Sequence, residues 1–455
     1  MRLLIITFMC RRLASILLLL SMTLPTAGRH RAVRSPGPPA PLILERSFAI
    51  TDLAILDAFR FERVLAALAA RSDVPGMTAE KLFRQWFDTQ NPKPGLDASM
   101  PHCDDELTGG KPSLNGFAIA CPADGGPLAT APFLPDELIP ISITNRFDLA
   151  NGTNCGQYRI AFAKRVSAPQ IFHVIFEAAL PNPDPSGDLA GCRPVAQFWA
   201  DLSSVASMEE RRARLERFFF DGIDGFAPAI HPDHYHVAPA GIRTVQLGSA
   251  DLAHFFQYRL IHDGRLYFKP DVLENTPPGD LFDARSTTPR AVAFRTEFLK
   301  QVKTLSATDV NLYFMNIPTE FLVADPDPDL ALDRLPHYAF TDSLSSAAGM
   351  AFRDAIAAEV QKAGSTLTPL EVVERAHTQT CGGCHFGGNR VGDGIVFPIV
   401  SVTFAHVSET VVVAGEGGPA SRFQISPAMR NVFIPHRMQI LRDFLATGKA
   451  PGHSN

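Results

Sequence analysis

The chain has 455 residues, 46% of them apolar and 20% charged, with a formal net charge of −5. That balance suits a globular protein and excludes both a strongly basic nucleic-acid-binding surface and a highly charged, core-less chain. Roughly 410 residues follow the N-terminal leader, more than one domain usually holds, so two or three folding units are expected.

In the leader, Arg11-Arg12 precedes the apolar run Leu13 to Leu24 and then Pro25-Thr26-Ala27-Gly28. Charge, apolar stretch and small residues in that order predict a signal peptide over residues 1–28, whether translation starts at Met1 or Met9. The run is shorter than the ~20 residues that cross a bilayer, and no later stretch is long enough, so no stable membrane span is expected after cleavage. Residues 29–41 contain Ser35-Pro36-Gly37-Pro38-Pro39 and read as a Pro-rich linker.

Folded protein is expected from Leu42. Leu53, Leu56, Phe59, Phe61, Val64, Leu65 and Leu68, then Leu82, Phe83 and Trp86, recur at helical spacing and predict an N-terminal helical pair. From Pro92 to Pro135 the chain is rich in Gly, Pro and Asp, which predicts long loops. Ile139–Ile143, Tyr158–Phe162 and Phe172–Phe176 are short aromatic and β-branched runs between turn residues, and read as strands. Val195–Leu202 and Met208–Phe220 return to helical spacing. Ile242–Leu247, His254–His262 and Arg265–Lys269 are again strand-like, the last two joined by a hairpin at Asp263-Gly264. A mixed sheet with flanking helices is thus expected over residues 42–340, a region whose composition assigns it no function.

Helices are expected over Ala291–Val302 and Leu344–Lys362, with the Asp- and Pro-rich Asp325–Asp329 between them as linker. Thr368-Pro369-Leu370-Glu371 has the Thr-x-x-Glu capping-box pattern with proline at the first helical position, so a helix should run from there to Thr378. Phe397–Val413 looks β-like, and Pro435–Thr447 carries Met438, Ile440, Leu441, Phe444 and Leu445 on one helical face.

Directly after the capped helix stands Cys381-Gly382-Gly383-Cys384-His385. Cys-x-x-Cys-His is the attachment signature of haem c: two thiols at this spacing each add across a vinyl group of one porphyrin, and the adjacent imidazole ligates the iron. The competing chemistries are a redox disulfide and a zinc site in which Cys381, Cys384, His385 and His406 hold the metal. Haem attachment takes place outside the cytoplasm, and the export signal agrees with it. On the motif, the helix before it and the closing helix, the stretch from about Thr368 to Pro451 resembles a monohaem c-type cytochrome domain, and residues 341–455 are taken as that domain. With the strand and helix patterns upstream, an α+β chain is expected: a large mixed helix/sheet N-terminal region joined to the small, mainly helical cytochrome c-like C-terminal domain that the resemblance implies. Asn145-Arg146-Phe147-Asp148-Leu149-Ala150 and Cys155-Gly156-Gln157-Tyr158-Arg159 resemble uncharacterised secreted bacterial proteins, which implies no activity.

Cys381, Cys384 and His385 are therefore the expected haem-binding residues, with His385 the proximal ligand. His406, in Thr403-Phe404-Ala405-His406-Val407, and Met429, ahead of the terminal helix, are the two distal candidates; His436 reads as a cap or surface group. Cys103, Cys121, Cys155 and Cys192 form an even set, and pairing by proximity gives Cys103 to Cys121 and Cys155 to Cys192. His231-Pro232-Asp233-His234-Tyr235-His236 is dense enough in imidazole for zinc or copper, though a solvated loop is the simpler reading, and His102-Cys103-Asp104-Asp105-Glu106 reads as an acidic loop beside a disulfide. No nucleophile elbow, phosphate loop or dinucleotide fingerprint occurs. The expectation is a periplasmic or secreted haem c protein that passes single electrons to a redox partner protein. The alternatives are an oxidoreductase whose N-terminal region binds substrate or metal, and a zinc-stabilised binding protein.

Overall fold

In a computed structural model, residues 41–164, 172–236, 240–247, 253–312, 314–324, 335–381, 383 and 406–449 are described. At the centre is a seven-stranded sheet in the order β1 (Ala49–Ile50), β5 (Leu138–Arg146), β6 (Asn154–Lys164), β7 (Phe172–Pro181), β8 (Gly241–Leu247), β9 (Ala253–His262) and β10 (Leu266–Asp271). Every pairing in it is antiparallel, where a mixed sheet was expected. The reason is connectivity: from β5 to β10 each strand pairs with the next in sequence, and such neighbours reverse direction without a crossover. Gly264, at φ +89°, supplies the left-handed residue that the tight β9–β10 reversal needs.

Strand alternation gives the sheet two faces. On one, Ile143, Ile160, Phe162, Val174, Phe176, Ile242, Tyr258, Leu260 and Phe268 are all buried. Helices α3 (Phe61–Ala70) and α4 (Ala79–Asp88) cover this face, as their apolar spacing predicts. Phe61 meets Phe162 edge-on at 5.3 Å, and Trp86 stacks on Phe268 at 4.4 Å. The connection from β7 to β8 adds α5 (Arg193–Asp201) and α6 (Met208–Glu216), with Trp199 stacked on Tyr158 at 5.3 Å. Two short N-terminal turns, α1 (Leu44–Ser47) and α2 (Leu53–Leu56), flank β1.

Both expected disulfides are formed. Cys103–Cys121 brackets a small sheet of β2 (Glu106–Thr108), β3 (Lys111–Leu114) and β4 (Phe117–Ala118), so the stretch expected to be irregular carries a strand meander. Cys155–Cys192 ties β6 to the start of α5. In the chain-entropy picture, loops of 18 and 37 residues correspond to about 3 and about 4 kcal/mol of stabilisation.

Four helices, α7 (Pro289–Leu305), α8 (Pro336–Ser343), α9 (Ala347–Lys362) and α10 (Pro369–Thr378), share a second core around Phe294, Phe298, Phe340, Phe352, Ile356 and Val373. The boundary expected between residues 340 and 341 falls inside α8. Within the region expected to be mainly helical, β11 (Val407–Gly415), which overlaps the β-like stretch, and β12 (Gly418–Ile425) form a hairpin before α11 (Ile434–Thr447). Both elements are built into the first core. Phe423, Ile425, Ile434, Leu441 and Phe444 pack with the sheet's apolar cluster, and the Phe444 ring lies 4.8 Å from Phe147. Ion pairs fasten the same seam: Glu45 with Arg422 and Arg430, Glu416 with Arg46 and Arg211, and Asp148 with Arg437. The described residues belong to one compact unit beginning at Pro41. Among them, no helix is long and apolar enough to cross a membrane.

Candidate functional site

The site is built from α10 outward. Thr368 accepts from the Glu371 amide while Glu371 reaches back to the Thr368 amide, so the predicted capping box is present. Arg375, buried, donates to the carbonyls of Leu305 and Ala307 at 2.8 and 2.6 Å and locks α10 to the end of α7. Past Thr378 the chain stays tightly turned. The Thr380 hydroxyl donates to the His377 carbonyl at 2.8 Å and accepts from the Gly383 amide at 2.9 Å. Gly383 lies so close to His377 that an added Cβ would strike the His377 carbonyl, a backbone group that cannot yield. Glycine at this point of the motif is a steric requirement.

Cys381 follows on the same turn, its thiol unbridged. It packs beside Val245, Phe255 and Leu273, and its amide donates to the Thr276 hydroxyl at 3.4 Å. Burial raises the thiol pKa, with Arg243 partly opposing the shift. Val245 and Phe255 are partners across β8 and β9, so Cys381 rests on the second face of the sheet. Cys384 and His385 lie outside the described residues.

That second face is charged. Glu177, only 1% exposed, lies between Arg159 at 3.1 Å and Arg243 at 2.9 Å; Arg243 also pairs with Glu274 at 2.9 Å, and Arg259 with Asp271. Burial alone would pull the Arg243 pKa down, but Glu177 and Glu274 reverse this and hold its guanidinium firmly charged. At the β5 end, burial favours the neutral form of Asp148, yet Arg146 and Arg437 overcome it and bring the pKa down to about 2. The downstream chain covers this face at several points: Cys381 over β8 and β9, Glu409 of β11 at 3.7 Å from His173 of β7, and Arg437 of α11 against Asp148.

His377, four residues before Cys381, is a participant that the sequence did not single out. Its ring is buried, its Nδ1 has no hydrogen-bond partner among the described residues, and its ring centre is 5.7 Å from that of His337. Burial first, then His337, lowers its pKa to about 4, so the ring is neutral at physiological pH. A helical histidine gives no sequence signal of this kind.

The two distal candidates have different surroundings. His406 is exposed at the foot of β11, and its carbonyl accepts from the Ser426 amide at 2.8 Å. Met429 is buried in the first core, whereas Cys381 belongs to the separate small cluster on the charged face. His436 opens α11.

The histidine-rich loop is solvated in part: Asp233 and His236 are exposed and His231 is half-buried, while His234 and Tyr235 point into the fold. Pro232–His234 forms a 3-10 turn in which His234 is buried and reaches the Ala229 carbonyl at 3.3 Å. Asp233 pairs with His262 at 3.0 Å, and His262 also reaches the Ser72 carbonyl. These nitrogens are engaged in fixing the loop. His102 is likewise buried among the carbonyls of Asp88, Asn91 and Asp97, and Glu106 takes amides from the Asn115–Gly116 turn. Among the described residues no group of three or more His, Cys, Asp or Glu side chains could hold a metal ion. Of the zinc set Cys381, Cys384, His385 and His406, only the first and last are described; Asp325–Asp329 also lies outside the described residues.

No protein-family model, curated protein or solved structure matches the chain.

Proposed function

We propose that the protein is an exported carrier of one haem c, bound covalently through Cys381 and Cys384 with His385 as proximal ligand, that passes single electrons to and from a redox partner protein. The observation that carries this reading is the unbridged thiol of Cys381 at the end of a capped helix, within Cys-x-x-Cys-His. The haem would supply one-electron chemistry; the chain's part is to hold it, shield it and tune it.

The residues around Cys381 suit such a group. Val245, Phe255 and Leu273 offer an apolar surface for a macrocycle. The two disulfides agree with an oxidising compartment, where haem c is attached. His406 and Met429 are the two candidates for the distal position.

Expression with a cytochrome c maturation system, followed by a haem-stained denaturing gel, tests the reading. The wild-type chain should stain at its own mass and the Cys381→Ala/Cys384→Ala variant should not. An unstained wild-type band would overturn the proposal.

A further inference from the structure

We propose that Arg146, Arg159 and Arg437 form a binding site for a small oxyanion at the β5 end of the charged face; haem plays no part in it. The site grows out of Asn145-Arg146-Phe147-Asp148, a stretch to which electron transfer gives no task. Asn145 and Phe147 anchor it. Both are buried, and Asn145 Nδ2 donates to the Ser47 carbonyl at 3.1 Å while its Oδ1 accepts from the Phe147 amide at 2.8 Å. Strand alternation then puts Arg146 on the opposite side, with Gln157 as its partner on β6 and Arg159 two residues further along that strand on the same face. Arg146 and Arg159 are thus diagonal neighbours, within reach of one another's long side chains. Arg437, from the start of α11, comes down beside Asp148.

The three cations are not matched by carboxylates. Arg146 Nε lies 3.0 Å from each oxygen of Asp148 and its Nη2 lies 2.8 Å from one of them, so a single guanidinium occupies that carboxylate. Arg159 directs its hydrogen bonds to Gln157 and its ion pair to Glu177, which Arg243 shares. Arg437 is left over. Its side chain is 12% exposed, its ion pair with Asp148 is long at 3.7 Å, and it donates no hydrogen bond to any of the described residues. Burial first, and then Arg146, pull its pKa down to about 9, so it stays charged at physiological pH in a place that disfavours charge. Water reaches little of this guanidinium, and holding its N–H donors unbonded beside two like charges is costly for the fold. An oxyanion at the edge that solvent still reaches removes that cost, because the planar forks of Arg437 and a neighbouring arginine can take its oxygens in charge-assisted bonds.

The test is thermal unfolding of the full chain, disulfides intact, at one fixed ionic strength, with sodium chloride replaced stepwise by inorganic phosphate and, in a second series, by acetate. Phosphate at ten times its Kd should raise the wild-type midpoint by about 2 °C. A rise with acetate as well extends the site to carboxylates; a rise with phosphate alone restricts it to tetrahedral oxyanions. Arg437→Gln should lose the rise and yet melt in chloride at or slightly above the wild-type temperature, because the unmatched cation is gone. A residue needed only as an ion-pair partner in the fold would instead melt lower when replaced. Arg437→Lys, which keeps the charge without the fork, should show a weaker rise. Wild-type protein indifferent to both anions, an Arg437→Gln chain protected as well as the wild type, or one that melts well below it in chloride would each overturn the assignment.

Discussion

The two faces of the central sheet are made of opposite materials, one fully buried and the other only partly covered. One carries Phe162, Phe176, Tyr258 and Phe268 against Phe61 and Trp86; the other carries Arg159, Glu177, Arg243, Gln257 and Arg259 against Cys381 and Leu273. Folding alone explains the first, since each aromatic removed from water stabilises the chain by about 1.5–3 kcal/mol. It does not explain the second. Paired buried ions roughly break even against apolar side chains of the same volume, so stability alone does not select a sheet face built from them. The face that holds the fold and the face that holds the site are separated by the thickness of one sheet.

That contrast can be broken from either side. Trp86→Ala on the apolar face should have the largest effect, about 3–5 kcal/mol of unfolding free energy in denaturant titration, with haem content per folded molecule unchanged. Glu177→Gln on the charged face leaves Arg159 without its carboxylate and Arg243 with Glu274 alone, and should cost about 3 kcal/mol, near the low end for a broken buried pair because both arginines keep some solvent contact. Replacing Arg159, Glu177 and Arg243 together by apolar residues should recover much of that loss while altering the spectrum and potential of the haem. Recovery without any spectral change would mean that the charged face serves the fold after all.

A smaller effect is set by pH. Burial holds the pKa values of His234 and His377 at about 4, below the ordinary value of 6.5, so each ring is neutral when folded and takes up a proton more readily when unfolded. Their contribution is complete above about pH 6.5 and is lost as pH falls toward 4, amounting to about 2 kcal/mol each at pH 5. His262 runs the other way: its hydrogen bond to Asp233 raises its pKa, so its contribution is present at low pH and fades as pH rises through the folded pKa. His173, His231 and His337 are lowered by burial too, so the net trend follows the buried rings. Denaturant titrations at pH 7 and pH 5 should show the loss, and His377→Gln should remove part of it. An unchanged midpoint would refute the buried-neutral assignment.

The sequence reading succeeded where the determinants are local. Thr368 to Glu371 spell a cap, Asp263-Gly264 spells a hairpin, and four cysteines close in sequence admit one economical pairing; all three are found. It stopped where the determinants are distant. Gln157, Arg159, Glu177, Arg243 and Gln257 alternate with apolar residues, the pattern of a sheet with one wet face. What the pattern does not announce is that Cys381, Glu409 and Arg437, encoded more than a hundred residues later, pack against this side at Val245 and Phe255, at His173 and at Asp148. The same distance hid the domain structure: Glu45 binds Arg422 and Arg430 across almost the whole chain, which no local period announces. The antiparallel order followed from pairing between neighbours, and the silent role of His377 from burial.

The account stands on Cys381 as a point of haem attachment. Its most direct test is an anaerobic redox-titrated absorption spectrum of the purified protein matured with the cytochrome c system. A Soret band, sharp bands in the reduced form and one single-electron transition are the predicted result. A folded, disulfide-bonded protein with no haem absorbance at any potential would contradict it.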